Sequence, residues 1–146
     1  LFDYTDAKII ELFKLADCDV EEADLYDWFR KEDDLDLLEM TDKEMATFLN
    51  GLIIEKRGKQ DGPQPEPEDR LTNNIILRKL KIALDLKSDD IIALFALVDR
   101  EVSPHELSSF FRRPDHKSYR LFMDQYLRGF LNALQTKSNN ERESFR

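Results

Sequence analysis

Cysteine occurs once in this chain, as Cys18, so no internal disulfide can form and a reducing cytoplasm is the expected location. Histidine occurs twice, as His105 and His116, with no HExxH and no Cys/His cluster. That argues against zinc chemistry, and no cofactor is expected. Glycine is nearly as scarce, at four residues, and no stretch alternates apolar and polar residues for long enough to argue a strand. No apolar run approaches the ~20 residues needed to cross a bilayer, so no membrane association is expected. Positive charge is in deficit as well. Twenty-two Lys and Arg face 31 Asp and Glu, and the formal charge of −9 is a poor match for phosphate backbones or anionic lipid.

What remains is the composition of a helical protein with a real core. Of 146 residues, 41% are hydrophobic and ten are Phe, enough for one domain or two small ones sharing an interior. In "NNIILRKLKIAL", Ile76, Leu77, Leu80, Ala83 and Leu84 recur at three- and four-residue steps and make one apolar stripe. "DDIIALFALV" is apolar on nearly every side and predicts a buried helix, and "YLRGFLNAL" lines Leu127, Phe130, Leu131 and Leu134 along one face.

The chain also says the same thing twice. "FRKED" at Phe29–Asp33 returns as "FRRPD" at Phe111–Asp115, and "FLNGL" at Phe48–Leu52 returns as "FLNAL" at Phe130–Leu134. A constant offset of 82 residues aligns Leu1–Leu52 with Ala83–Leu134 without a gap. Identical pairs include Ile9/Ile91, Phe13/Phe95, Asp17/Asp99, Arg30/Arg112, Asp33/Asp115, Asp42/Asp124 and Asn50/Asn132. Helical bias alone would not keep Asp, Arg and Asn in step, so the match reads as a tandem duplication. The fold class expected is all-α: a four-helix unit written twice and packed as one compact pseudo-two-fold domain. A unit of about 60 residues is marginal alone, which gives duplication a physical reason.

Local signals set the boundaries. The first repeat covers 1–57, with most of its first helix expected to lie before Leu1. "GKQDGPQPEPEDR" makes 58–71 an extended, solvated linker, the second repeat covers 72–137, and 138–146 is a frayed tail. In the second repeat, Thr72 or Asn73 is expected to cap a helix running to about Leu86, and Ser88 to cap the next. Ser103-Pro104-His105-Glu106 predicts a capping box with Pro at the first helical position, Pro114 stops that helix, and a last helix runs from about Met123 to Thr136. Thr41-Asp42-Lys43-Glu44 is a second capping box, and Gly58 closes its helix.

The phrases "FLNGLIIEKRG", "NNIILRKLKIAL", "RRPDHKSY" and "DQYLRGFLNAL" closely resemble the bacterial YehS-like family over almost the whole chain. These are small cytoplasmic proteins built from a duplicated domain of unknown function. The resemblance implies a fully helical bacterial protein and carries over no catalytic residue, ligand or pathway.

The duplicated polar set Asp17, Arg30, Asp33, Asn50 and Asp99, Arg112, Asp115, Asn132 admits two readings. An Asp after one helix can cap the next or pair with the Arg ending it, so that Arg30 and Arg112 each meet an acid of their own unit. This architectural reading is preferred, because a polar group buried at a helix junction must be paired. The other reading is a binding surface presented twice. "DCDVEEADL" lacks the central glycine and terminal Glu of a calcium loop, and its acids are better suited to capping a helix. Cys18 aligns with Arg100, outside the repeated framework, and His116 beside Asp115 has Asp34 as its counterpart, so neither supports catalysis. A helix-turn-helix reading of "IIALFALVDREVSPHELSSFF" loses to an ordinary helical corner, since the first copy would carry acids towards phosphate.

Charge is split between the halves. Residues 1–57 hold seven Lys and Arg against seventeen Asp and Glu, whereas residues 72–146 hold thirteen against ten. Arg112, Arg113, His116, Lys117 and Arg120, with Arg30, Asp33 and Asp115, form the candidate binding surface. The expected function is a non-enzymatic protein-interaction or regulatory module acting on a protein partner, with a homo-oligomer as one form of it. Anion or nucleic-acid binding through the basic face of the second repeat is the alternative.

Overall fold

The structure, a computed structural model, describes residues 5–29, 41–62 and 64–144, the side chains of 26–29, 139 and 142–144 excepted. Among them are seven helices and no strand: α1 (Asp6–Leu15), α2 (Glu22–Phe29), α3 (Asp42–Arg57), α4 (Asn73–Ala83), α5 (Ser88–Leu97), α6 (Pro104–Phe110) and α7 (Asp124–Ser144). Adding 82 to the bounds of α1 gives those of α5, and the starts of α2 and α3 fall on the starts of α6 and α7. The all-α fold and its internal repeat are therefore legible helix by helix. The chain divides into two compact units, one built on Asp3–Thr72 and the other on Asn73–Lys81 and Asp85–Arg146.

In the first unit α1 packs on α3. Leu12, Phe13, Leu25, Ala46, Leu49 and Leu52 are buried, and the Phe13 and Phe48 rings meet at 5.7 Å. Phe48 is half-buried where full burial is expected by analogy with Phe130, which is 0% exposed. Two caps hold the helix starts. Thr5 Oγ1 accepts the Lys8 N–H at 3.1 Å. Thr41 and Glu44 exchange both bonds of a capping box, at 3.1 and 2.9 Å. The carboxylate of Asp24, in the first turn of α2, accepts the Glu21 N–H at 2.9 Å, so one of the acids of this segment does help cap the helix. Gly51 lies where α1 crosses α3: a Cβ there would stand 1.8 Å from the Leu12 carbonyl oxygen, so only glycine permits this approach. Ala133 occupies the matching place in α7.

The second unit is aromatic. Phe95 stands 6.1 Å from Phe122 and 6.3 Å from Tyr126, both edge-on, and 5.8 Å from Phe130, while Phe110 meets Phe122 edge-on at 5.0 Å. Leu77, Leu80, Ile91, Leu94, Val102 and Leu107 complete this core. Ser103 caps α6 by accepting the Glu106 N–H at 3.0 Å; the Glu106 carboxylate faces Arg120 at 3.9 Å. Ser88 is not the cap of α5 but its first residue. Lys87 stands at the cap, and the Asp90 carboxylate accepts its N–H at 2.8 Å.

The duplicated Asp17 and Asp99 have an architectural role. Both adopt left-handed backbone, φ 61° and 57°. In each copy the residue after the Asp donates back to the Phe five residues earlier: Cys18 N–H to Phe13 O and Arg100 N–H to Phe95 O, both at 3.0 Å. This is a Schellman closure with Asp where glycine is commonest. Asp85 (φ 52°) ends α4 the same way, with Leu86 N–H on Lys81 O at 3.0 Å, so α4 stops short of the expected Leu86.

Two boundaries differ from expectation. The tail expected to fray from residue 138 is helical to Ser144, supported by the i,i+4 pair Lys137–Glu141 at 4.0 Å. The 58–71 linker is non-helical, as its Gly and Pro demand, but it is a strap rather than a free tether. Gly58 (φ 84°) ends α3, and Gln60, Gln64, Pro65, Glu66 and Pro67 form one wall of a cleft over α1 and α3. Asp42 then accepts the Leu71 N–H at 2.9 Å and fixes the strap's far end.

Candidate functional site

Arg112, Arg113, Asp115, His116, Lys117 and Arg120 all lie on the connection 111–123 between α6 and α7, and all six are exposed. Arg30 and Asp33 lie outside the described residues, so the symmetry of the candidate surface rests on its second copy.

This connection is held from beneath. Pro114 cannot continue α6, and the chain instead makes two tight turns, His116 N–H to Arg113 O at 2.9 Å and Tyr119 N–H to His116 O at 3.0 Å. His116 Nδ1 accepts the Ser118 N–H at 2.9 Å, which occupies that nitrogen in a local turn. The main support is Asn74, on the first turn of α4 and only 3% exposed. Its Nδ2 donates to Phe110 O at 3.0 Å and Arg120 O at 2.8 Å, and its Oδ1 accepts the Phe122 N–H at 2.9 Å. One buried side chain thereby pins both ends of the connection. Asn73 adds bonds to Phe122 O at 2.9 Å and to the Asp124 carboxylate at 2.7 Å, so of the two residues offered as the cap of α4, Thr72 or Asn73, the second braces the connection.

Residues 119–123 of the pinned connection belong to neither helix nor strand. Phe122 points into the core at 2% exposure, and its neighbours Leu121 and Met123 stand 61% and 53% exposed. Around this apolar pair the charges are loosely compensated. Arg113 meets Asp115 at 3.7 Å with both groups solvated, and Arg120 meets Glu106 at 3.9 Å. Arg112 does not pair with an acid as expected; it is exposed and makes no ion pair among the described residues, and Lys117 is alike. For Arg112 the architectural reading therefore fails: α6 ends at Phe110, and of the acids expected to meet it, Asp99 or Asp115, Asp115 faces Arg113 instead. Leu121, Met123 and Asn74 escape sequence reasoning. The visible signal is the apolar triplet Leu121-Phe122-Met123 after a proline-stopped helix, more apolar side chains than an extended stretch can bury on one side.

The duplicated asparagines part company. Asn50 is buried at 7% exposure, whereas Asn132 is exposed. Asn50 lies in the cleft of the first unit, a space of about 250 Å³ walled by Leu15, Ile53 and Ile54 and by the strap residues Gln64 and Pro65. Cys18 is half-buried, and its thiol is held above the ordinary range by burial first and then by the nearby Asp19, Glu44 and Asp24. Lys8 is pushed up by its hydrogen bond to Glu55 at 2.5 Å. Among the described residues no three His, Cys, Asp or Glu gather as they would around a metal ion, and no helix is long and apolar enough to cross a membrane.

A duplicated all-α unit with a pinned, exposed connection between α6 and α7 defines the class. The chain belongs to the family described as "Protein of unknown function (DUF1456)", which matches residues 1–58 and 73–139. The two matched segments are the two repeats, and the strap falls in the gap between them. The chain is also similar to "Uncharacterized protein YehS" of Escherichia coli (strain K12), with 40% identity over 132 residues, covering 90% of this chain and 85% of that protein. No solved structure matches.

Proposed function

We propose that this chain is a non-enzymatic protein-interaction module whose α6–α7 connection docks a partner protein in the bacterial cytoplasm. The observation that carries the reading is the pair Leu121 and Met123, 61% and 53% exposed on the same connection as the exposed Arg112, Arg113, Lys117 and Arg120. A protein surface with an apolar centre and an acidic rim fits both parts; a phosphate backbone uses only the basic one. Because Asn74 fixes the loop beforehand, docking costs little ordering entropy. Arg112 and Lys117, without carboxylate partners, favour a second reading in which the loop takes an anion or nucleic acid.

A photo-reactive residue at position 121, used in living bacteria, separates the two. A protein adduct that survives nuclease and is lost in Met123→Asp is the expected result. A salt-sensitive nucleic-acid adduct lost in Arg112→Glu/Arg113→Glu but retained in Met123→Asp would overturn it.

A further inference from the structure

The duplication makes each repeat a control for the other, and one face distinguishes them. In the first repeat, the end of α1 and one side of α3 present Leu15, Ala16, Asp17, Asn50, Ile53 and Ile54, with the strap across from them. The offset of 82 places Leu97, Val98, Asp99, Asn132, Gln135 and Thr136 on the matching face of α5 and α7. The backbone frame is shared, down to the left-handed Asp that closes the first helix of each pair. The cover is not shared. Gly58 ends α3, whereas α7 runs as helix to Ser144, past the position that matches Gly58, so among the described residues no strap follows α7. Leu15 is half-buried, but Leu97 is 46% exposed; Asn50 is buried, but Asn132 is exposed.

One substitution gives this uncovered face a charge preference. Where the first repeat has Cys18, the second has Arg100, half-buried with its guanidinium 4.5 Å over the Tyr126 ring. No carboxylate pairs with Arg100 among the described residues. Gly129 lies one turn before Asn132 on the same side of α7. A Cβ there would stand 3.8 Å from Arg100 Nε and 3.9 Å from Val98 Cγ2, ordinary contact distances, so Gly129 adjoins both, and with Asn132 these residues mark a track along α7. Asp99, the offset counterpart of Asp17, lies on this face, and the exposed Glu101 follows Arg100 in sequence.

We propose that this track of the second repeat binds an extended, acidic, proline-containing peptide of another protein, in the way the first repeat holds its own strap. The strap supplies the occupant's chemistry. Residues 60–69 carry Asp61, Glu66, Glu68 and Asp69 with Pro63, Pro65 and Pro67, and prolines keep such a segment extended at little entropic cost. An acid of the peptide pairs with Arg100, one of its prolines covers Leu97, and Asn132 bonds its backbone. The inference rests on the reading of this chain as an interaction module but not on the α6–α7 loop.

The test adds a synthetic peptide of residues 58–71, in trans, to the isotope-labelled full chain and follows the backbone amides by NMR. Leu97, Arg100, Gly129 and Asn132 are expected to shift, and binding is expected to weaken about tenfold or more in Arg100→Gln and in Leu97→Asp. Both side chains are solvent-accessible, so these variants fold, and unchanged helical melting checks it. A Met123→Asp variant should bind the peptide normally, which separates this track from the loop. Shifts confined to Asn50 and Ile53, no shifts at all, or shifts indifferent to both variants would each overturn the proposal. The same amides shifting with protein concentration and no peptide would place a second copy's strap there and overturn the assignment to a foreign partner.

Discussion

At the scale of single residues, the duplicated aspartates show how a polar repeat can be about backbone rather than chemistry. Asp17 and Asp99 hold φ near 60°, where side chains larger than Asn or Asp lose roughly 1–2 kcal/mol. Asp99→Val should therefore lower unfolding stability by about that amount, and Asp99→Gly should leave it equal or higher, as read from denaturant midpoints. Gly51 obeys the opposite constraint, space. With the Leu12 carbonyl 1.8 Å from a would-be Cβ, Gly51→Ala must part α1 from α3, at a cost of about 2–3 kcal/mol. The mirror change Ala133→Gly only loosens a helix and should cost about 1 kcal/mol. Cys18 adds a pH dependence. Its folded pKa is raised, so the folded state keeps the proton that the unfolded chain gives up. The stability this supplies is complete below the unfolded thiol's value and is lost as pH rises through the folded one. Alkylation of the native protein at pH 8 should be slower than alkylation of the unfolded chain.

At the scale of elements, the α6–α7 connection stays in place through a helix distant in sequence. Asn74 satisfies two carbonyls and one N–H of that connection from 36 to 48 residues away. Asn74→Ala leaves the buried Phe122 N–H without its partner and should cost about 2–3 kcal/mol. Its distinctive sign would be faster amide exchange at Phe122 and Arg120 than in α5, whose own hydrogen bonds do not change. If exchange rises evenly through the unit, Asn74 is ordinary core and the loop is not specially pinned. The strap is the corresponding device of the first unit, fixed by Gly58 at one end and Asp42 at the other.

At the scale of the whole molecule, two cores built on one pattern are filled differently. Phe95 sits among Phe122, Tyr126 and Phe130, whereas Phe13 has Phe48 and the aliphatic side chains of Ile9, Ile10 and Val20 around it. Phe95→Ala should cost about 3–5 kcal/mol in the stability of its unit, and Phe48→Ala, at a half-buried position, clearly less. The charge split follows the same division. The first repeat is acid-rich, and the basic residues gather on the second, where the exposed loop and the uncovered track both lie.

Much of this was written in the sequence, because it depends on neighbours within a turn or two. Apolar spacing set the helices, Thr41, Ser103 and Gly58 set ends that the structure keeps, and the offset of 82 announced the repeat before any contact was known. Tertiary structure decided what depends on long-range company. Asn50 and Asn132 are the same letter in the same phrase, yet one is buried in a strap-walled cleft and the other is exposed. Arg112 was expected to meet an acid, but Asp115 faces Arg113 instead. Leu121 and Met123 face solvent because Asn74, far back in the sequence, holds Phe122 inward; no local rule says which of three consecutive apolar residues the core will take. Burial and pairing are properties of what the fold brings alongside, and a repeat in sequence does not guarantee that both copies receive the same neighbours.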